Sequence, residues 1–376
     1  MRRFAVCLLF ASFCACGSAD DATSDDSRGD GGATDAATDT ATISDSSSAD
    51  GSSVHDGSVT LPDGGSVTGF PSTLGGGTVA GSSGCGGAAA TGMQTISLTV
   101  GAATRTGFYV MPAGYDSSNA YPVVFVFHGD GGTGASIRSS LNLETAASGK
   151  AIFVYLDGAS KTWDSELTAD NHDMDFVMAA RALVRSKACV DMSRTFATGH
   201  SRGAFFVNQL ACKYGIAEFA AMAPQSSTIS AASGSDYIYG PPKSSGGPYT
   251  EGGNFDFRCP VDPTAAGTVP ILPPPMFIIH GQCDAESGVT FAEGRNVAEH
   301  WGFAAKCSTT PAVVVDANAH VCNGTDNNCP TLASDPCYVA PGCALGHDIT
   351  FCAIPNMDHV VWCKAPERIW SFFAAH

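Results

Sequence analysis

From about residue 95 onward, short apolar runs alternate with longer segments whose apolar residues recur every three to four positions. The runs Thr95–Val100, Thr106–Met111, Val123–Phe127, Ile152–Tyr155, Thr195–Thr198, Phe219–Ala223, Met276–Ile279 and Ala312–Val315 have the length and β-prone composition of strands. The segments Ser136–Ser148, Asp173–Lys187, Ala204–Lys213, Ser287–His300 and Glu367–Ala375 read as helices. In the second of these, Met174, Val177, Met178 and Ala180 to Ala182 share one face, and Asp173 suits the N-cap. Strands alternating with helices predict an α/β fold, with a mostly parallel sheet covered by helices on both faces.

The first 84 residues follow no such pattern. Met1-Arg2-Arg3 followed by the apolar stretch from Phe4 to Phe13 reads as an export signal, since the stretch is too short to span a bilayer. It ends in Phe13-Cys14-Ala15-Cys16-Gly17, which looks like a bacterial lipoprotein cleavage site. Residues 1–16 are then the signal and Cys16 the lipidated residue; plain secretion is the alternative. Residues 17–84 hold eleven Asp against Arg28 alone and are otherwise mostly Ser, Thr, Ala and Gly. That composition buries too little apolar surface to offset ordering entropy, so a disordered tether is expected. The tether contributes −10 of the formal net charge of −17. The remaining part, 85–376, is only mildly acidic, which argues against nucleic acid as a partner. Contact with a membrane is expected only through the N-terminal lipid.

Four strand ends carry candidate chemistry. Gly199-His200-Ser201-Arg202-Gly203 fits G-x-S-x-G, between a β-prone run and a segment able to form a helix. Strand, sharp turn and helix are the context in which such a serine is a nucleophile. A serine hydroxyl needs a base, an orienting acid and an oxyanion hole. The run Val123–Phe127 leads into His128-Gly129-Asp130-Gly131-Gly132, the usual form of a loop donating one oxyanion N–H. The backbone amides of Asp130 and Arg202 are the expected donors. Met276–Ile279 leads into His280-Gly281-Gln282-Cys283-Asp284, which makes Asp284 the candidate acid, with Glu286 the fallback. His359 comes last, on a loop after the run from Ile349 to Ile354, and is the candidate base. The order Ser201, Asp284, His359 is that of α/β hydrolases. His128 and His280 are expected to be structural, and His200 to pack under the elbow. No cofactor and no metal is needed.

These segments resemble the secreted feruloyl esterases, acetylxylan esterases and polyhydroxybutyrate depolymerases (carbohydrate esterase family one and its relatives). The likeness runs over roughly residues 85–376. It is carried by Arg105 to Pro112 with Gly114-Tyr115, and by Ala151 to Gly158 with Trp163. Cys189 to Arg194 leading into the elbow, and Cys307, Cys337, Cys343 and Cys352 ahead of His359, complete it. The resemblance implies an α/β-hydrolase fold and ester hydrolysis outside the cytoplasm, by a Ser-His-Asp acyl-enzyme route. It also implies a lid or insertion at residues 226–275. Feruloyl or acetyl esters of plant polysaccharide, or related short esters, are the expected substrates, and a polyester such as polyhydroxybutyrate is the alternative. A peptidase or lipase, or a non-catalytic glycan-binding surface lipoprotein, is a more distant reading. Trp163, Trp362 and Tyr338 are candidate aromatic contacts for substrate. Arg202 stands where the family has a small or aromatic residue, so it either pairs with a carboxylate near the cleft or projects toward an anionic substrate.

Fifteen cysteines are present. Setting aside Cys7, Cys14 and Cys16 leaves twelve, which in an exported chain reads as a set of disulfides. Seven lie from Cys307 to Cys363, near His320 and His347, so zinc is the competing reading. Cys322 with Cys329 is a short-loop candidate pair, and Cys352 and Cys363 bracket His359.

Overall fold

The computed structural model describes residues 81–88, 90–164, 171–228, 273–286, 288–308, 322 and 327–376, with a two-rung ladder of β1 (Val59–Thr60) and β2 (Ser66–Val67). Cys16, the expected strand Ala312–Val315 and all but the ends of the 226–275 stretch lie outside the described residues.

The main sheet has nine strands: β3 (Met93–Val100), β4 (Ala103–Val110), β5 (Tyr121–Phe127), β6 (Ile152–Leu156), β7 (Val190–His200), β8 (Ala221–Gln225), β9 (Met276–Gly281), β10 (Cys337–Val339) and β11 (Ile349–Ile354). Their spatial order is β10-β11-β9-β8-β7-β5-β6-β4-β3. Pairing is parallel from β6 through β5, β7, β8 and β9 to β11. The flanking pairs β3–β4, β4–β6 and β10–β11 are antiparallel.

The period of two in a strand decides what each side chain meets. Along β5, Val123, Phe125 and Phe127 join one core with α3 (His172–Lys187), α4 (Arg202–Glu218) and α5 (Phe291–Ala304). Val124 and Val126 join the opposite core with α1 (Gly134–Leu141), α2 (Leu143–Ala147) and α6 (Ala365–Ala374). The central strands are therefore buried on both faces, and their sequences are continuously apolar. This is the α/β-hydrolase arrangement the sequence predicts.

Several details differ from expectation. The helix expected over Ser136–Ser148 is two helices, because Asn142 turns left-handed at φ 43 and ends α1. Asn tolerates this region better than most residues. The N-cap of α3 is Asn171, whose side chain accepts from the amides of Asp173 and Met174, and not Asp173. Asp173 instead takes a buried ion pair with Arg105. The folded part begins ahead of Cys85: the Ser82 amide donates to the Val190 carbonyl at 3.0 Å, and its hydroxyl donates to Ala188. The ladder of β1 and β2 also falls within the segment expected to be a disordered tether.

Among the described residues, five disulfides join Cys85–Cys189, Cys283–Cys322, Cys307–Cys343, Cys329–Cys363 and Cys337–Cys352. The Cys322–Cys329 pair is not formed. All seven cysteines from Cys307 to Cys363 are in disulfides, so none offers a thiolate to zinc. Two of these bonds attach beside candidate residues: Cys283 precedes Asp284, and Cys363 follows His359 by four positions.

His300, on α5, is buried edge-on against Trp301, and burial pushes its imidazole down to about 3. The unfolded chain takes up a proton there near pH 6.5, whereas the folded chain resists it until about pH 3. The stability so linked is fully present above the unfolded value and falls as pH drops through that window. The expected slope is up to about 1.4 kcal/mol per pH unit for this one group. Denaturant midpoints at pH 7 and pH 5 measure it. His300→Leu should make the drop smaller than in the wild type; an unchanged drop would remove His300 from the account.

Candidate active site

Four loops meet at the carboxyl ends of the parallel strands: residues 128–132 after β5, Ser201 after β7, Asp284 after β9 and His359 after β11. Open α/β sheets bind ligands at this edge.

The elbow places Ser201. Its φ of 54 and ψ of −126 lie in a region L-residues avoid, the kind of strain that a close-packed turn holds in place. Two glycines permit that packing. A Cβ on Gly199 would lie 2.6 Å from the Gly203 carbonyl carbon, and one on Gly203 would lie 2.3 Å from the Phe127 oxygen. The Ser201 side chain does not cap α4, although it occupies the N-cap position. Its Oγ meets His359 Nε2 at 2.9 Å instead.

His359 Nδ1 lies 2.8 Å from Asp284 Oδ2. A carboxylate accepts, so Nδ1 carries the proton and Nε2 is left to accept from the serine. The base loop is tied down from three sides. Gln225 Nε2 donates to the Val360 carbonyl at 2.8 Å, and the Cys283 amide donates to Met357 at 2.9 Å. The Cys329–Cys363 bond closes the third side.

The Asp284 side chain is fully buried. Burial alone would raise its pKa, but hydrogen bonds from His280 and His359 outweigh it, and the carboxyl titrates at about 2. The Glu286 amide also donates to Asp284 Oδ1 at 3.1 Å, while Glu286 itself is exposed. Asp284, and not Glu286, is therefore the carboxylate that meets His359. His280 is more than a spacer in the strand. Its Nε2 lies 2.9 Å from the Val289 carbonyl and 3.3 Å from Asp284 Oδ2. A carbonyl only accepts, so Nε2 carries the proton and stands beside the Asp284 carboxylate. The sequence offered a signal for this contact, since the two residues are four apart across the strand end, but not its direction.

Opposite the serine, His128 Nε2 accepts from the Gly158 amide at 2.9 Å while Nδ1 faces the Gly129 carbonyl at 2.8 Å. Burial lowers its pKa, and the imidazole holds the loop as a neutral group. Trp163 is fully buried and donates from Nε1 to the His128 carbonyl at 2.9 Å. It braces the loop from beneath and does not face substrate. Trp362 is likewise core, packed with Ile369 and Phe373. Tyr338 lies on the sheet-edge strand β10. Trp163 and Trp362 lie in the core because large apolar rings stabilise more when buried than when held at a wet surface.

His200 does not pack under the elbow. Its ring stands 5.0 Å from that of His359, and burial together with the neighbouring His359 pushes its pKa to about 3. It lines a cavity of about 610 Å³ with His128, Ile137, Asn328, Val360 and Val361. Aliphatic and neutral polar groups thus share the wall beside the serine with the Asp130 carboxylate. The Arg202 amide opens α4, and first-turn amides point along the axis out of a helix.

No protein-family profile matches the chain. Over 143 residues it is 37% identical to a probable feruloyl esterase C of Aspergillus terreus, covering 36% of this chain and 49% of that one. Over 108 residues it is 35% identical to feruloyl esterase C of Emericella nidulans, covering 27% of this chain and 39% of the other. The chain thus spans about half the length, or less, of these curated relatives. Among solved structures it superposes on an acetyl xylan esterase from Aspergillus awamori with a TM-score of 0.50 and 16% identity, covering 75% of this chain and 99% of that one. Part of the chain is thus similar in sequence to feruloyl esterases, and its fold is similar to that of an acetyl xylan esterase.

Proposed function

We propose that the protein is a serine carboxylic-ester hydrolase acting outside the cytoplasm on feruloyl or acetyl esters of plant polysaccharide, or on related short esters. The observation that carries this reading is the hydrogen-bonded chain from Ser201 Oγ through His359 to Asp284, with separations of 2.9 Å and 2.8 Å. In the proposed reaction His359 Nε2 takes the serine proton as Oγ attacks the ester carbonyl. Asp284 holds the imidazole in the accepting tautomer and stabilises its charged form. The amides of Asp130 and Arg202 receive the oxyanion. His359 then protonates the departing alkoxide. Water, deprotonated by the same nitrogen, attacks the acyl-enzyme and releases the acid and free serine.

The relatives called feruloyl esterase favour an aromatic acyl group, and the mixed aliphatic and polar cavity wall is compatible with one. The disulfides favour an oxidising compartment. Lipidation at Cys16 and a tether running from residue 17 up to the folded part, which begins ahead of Cys85, belong to the same proposal.

The test is a hydrolysis panel on the full chain, with methyl ferulate, acetylated xylan, polyhydroxybutyrate and 4-nitrophenyl esters of increasing length, plus labelling by a fluorophosphonate. Turnover of methyl ferulate or acetylated xylan, with a single label on Ser201, is the expected result. Absence of both turnover and label would overturn the proposal; polyhydroxybutyrate as the best substrate would overturn its substrate class.

A further inference from the structure

Arg202 follows the nucleophile, and Asp130 lies on the loop across from it. Arg202 Nε stands 3.1 Å from Asp130 Oδ2 and 3.3 Å from Oδ1. The guanidinium carbon sits 5.2 Å from the centroid of the Phe205 ring, one helical turn on. The Thr162 hydroxyl donates to the same carboxylate. The two chain segments also touch beneath the pair, where a Cβ on Gly129 would lie 3.2 Å from Ser201 Cβ. The ion pair therefore spans the gap between the two segments whose amides are assigned to the oxyanion.

The partners are not equally placed. The Arg202 side chain is 16% exposed and that of Asp130 is 53% exposed. Asp130 lines the cavity and Arg202 does not. The other titratable groups in that wall are His128 and His200, both shifted toward the neutral form by burial. A substrate entering the cavity thus meets a carboxylate before it meets the cation behind it.

We propose that the Arg202–Asp130 pair is a positioning and charge-selecting clamp. It sets the spacing between the elbow and the 128–132 loop, and its outward carboxylate makes the cleft favour uncharged esters over anionic ones. This rests on the esterase assignment above. It also reverses the simplest expectation for an arginine beside the nucleophile, which is attraction of anions. Replacing the carboxylate raises the local charge by one, whatever else the guanidinium touches.

The experiment compares kcat/KM for 4-nitrophenyl acetate and 4-nitrophenyl hemisuccinate, which adds a carboxylate to the acyl chain. The wild type should prefer the neutral ester. Asp130→Asn keeps a hydrogen-bonding side chain and should raise the anionic-to-neutral ratio about tenfold. With the neutral ester its kcat should fall several-fold while KM stays nearly constant, the mark of lost positioning and not of lost binding. The wild-type ratio should itself rise with salt, because the Debye length shrinks from roughly 30 Å at 0.01 M to about 3 Å at 1 M. That measurement needs no variant and stands even where Asp130→Asn folds poorly. A wild type that prefers the anionic ester, or a ratio unmoved by both substitution and salt, would overturn the clamp. Failure of the wild type to cleave either ester would count against the esterase assignment instead.

Discussion

Ser201→Ala is expected to lower kcat by a factor on the order of 10⁴ or more while leaving the fold intact. Both halves of that expectation come from local geometry. The Oγ is 2.9 Å from His359 Nε2, and it is the atom that would bond to the substrate carbonyl. Without it the covalent route is closed, and what remains is the pull of the oxyanion amides on the carbonyl with water as the attacking group. The fold should survive because the serine hydroxyl does not cap α4. The turn is held by backbone bonds, from the Ser201 amide to the Gln225 carbonyl and from the Ala204 and Phe205 amides to the Ser201 carbonyl. Alanine meets about the same penalty as serine at φ 54, so the melting temperature should move little. The measurements are single-turnover kinetics on methyl ferulate or a 4-nitrophenyl ester and a calorimetric melt. A folded variant within tenfold of the wild-type kcat would remove Ser201 from the nucleophile's role. Effects of residues that act as a unit do not add, so combining this change with His359→Ala should cost scarcely more than either alone.

The sheet and the position of the site were legible because both depend on short-range signals. Continuous apolar runs such as Val123–Phe127 and Met276–Ile279 mark strands covered on both faces, and both lie at the centre of the sheet. Each ends in His-Gly, where a chain leaving a strand must turn sharply. Ser201, Asp284 and His359 are separated by 158 and 75 positions along their two contacts, yet parallel strands deliver all three to one edge. What the sequence could not carry is direction. Trp163 and Trp362 are aromatic residues near the site in sequence, but which side of a loop a ring occupies depends on packing against residues far away. In the structure Trp163 turns inward against Phe127 and Phe206. The disulfide connectivity was equally hidden: Cys322 and Cys329 are neighbours in the chain, but they bond to Cys283 and Cys363. Arg202 lies between these cases. The cost of leaving a guanidinium unpaired required some accommodation, while its partnership with Asp130, 72 positions away, is a matter of tertiary structure.

Gly203→Ala is expected to damage both activity and stability, by a different route from loss of the serine. The added methyl would stand 2.3 Å from the Phe127 oxygen, 2.6 Å from the His128 oxygen and 2.6 Å from the Phe127 carbonyl carbon. All three are backbone atoms of the strand end that leads into the 128–132 loop, so no side-chain rotation relieves the overlap. Either α4 moves away from β5 or the loop is displaced. The first option separates Phe206 from Phe127 and Trp163, which now pack at centroid distances of 5.2 Å and 5.1 Å. Overpacking of this kind typically costs about 1–3 kcal/mol, and contacts with rigid backbone belong at the upper end or beyond. The second option moves the Asp130 amide relative to Ser201, and loss of one oxyanion donor alone costs roughly 10²–10³ in kcat. The variant should therefore melt several degrees lower and lose at least about 10²-fold in kcat where it folds. Fluorophosphonate labelling of Ser201 should slow in parallel, because that reagent also develops charge on an oxygen held by the same amides. Gly129→Ala provides the comparison: its nearest contact would be the Ser201 Cβ at 3.2 Å, a milder overlap that small shifts can absorb. A Gly203→Ala protein with wild-type melting temperature and labelling rate would mean that α4 and the 128–132 loop are not in the close contact on which the proposed oxyanion hole depends.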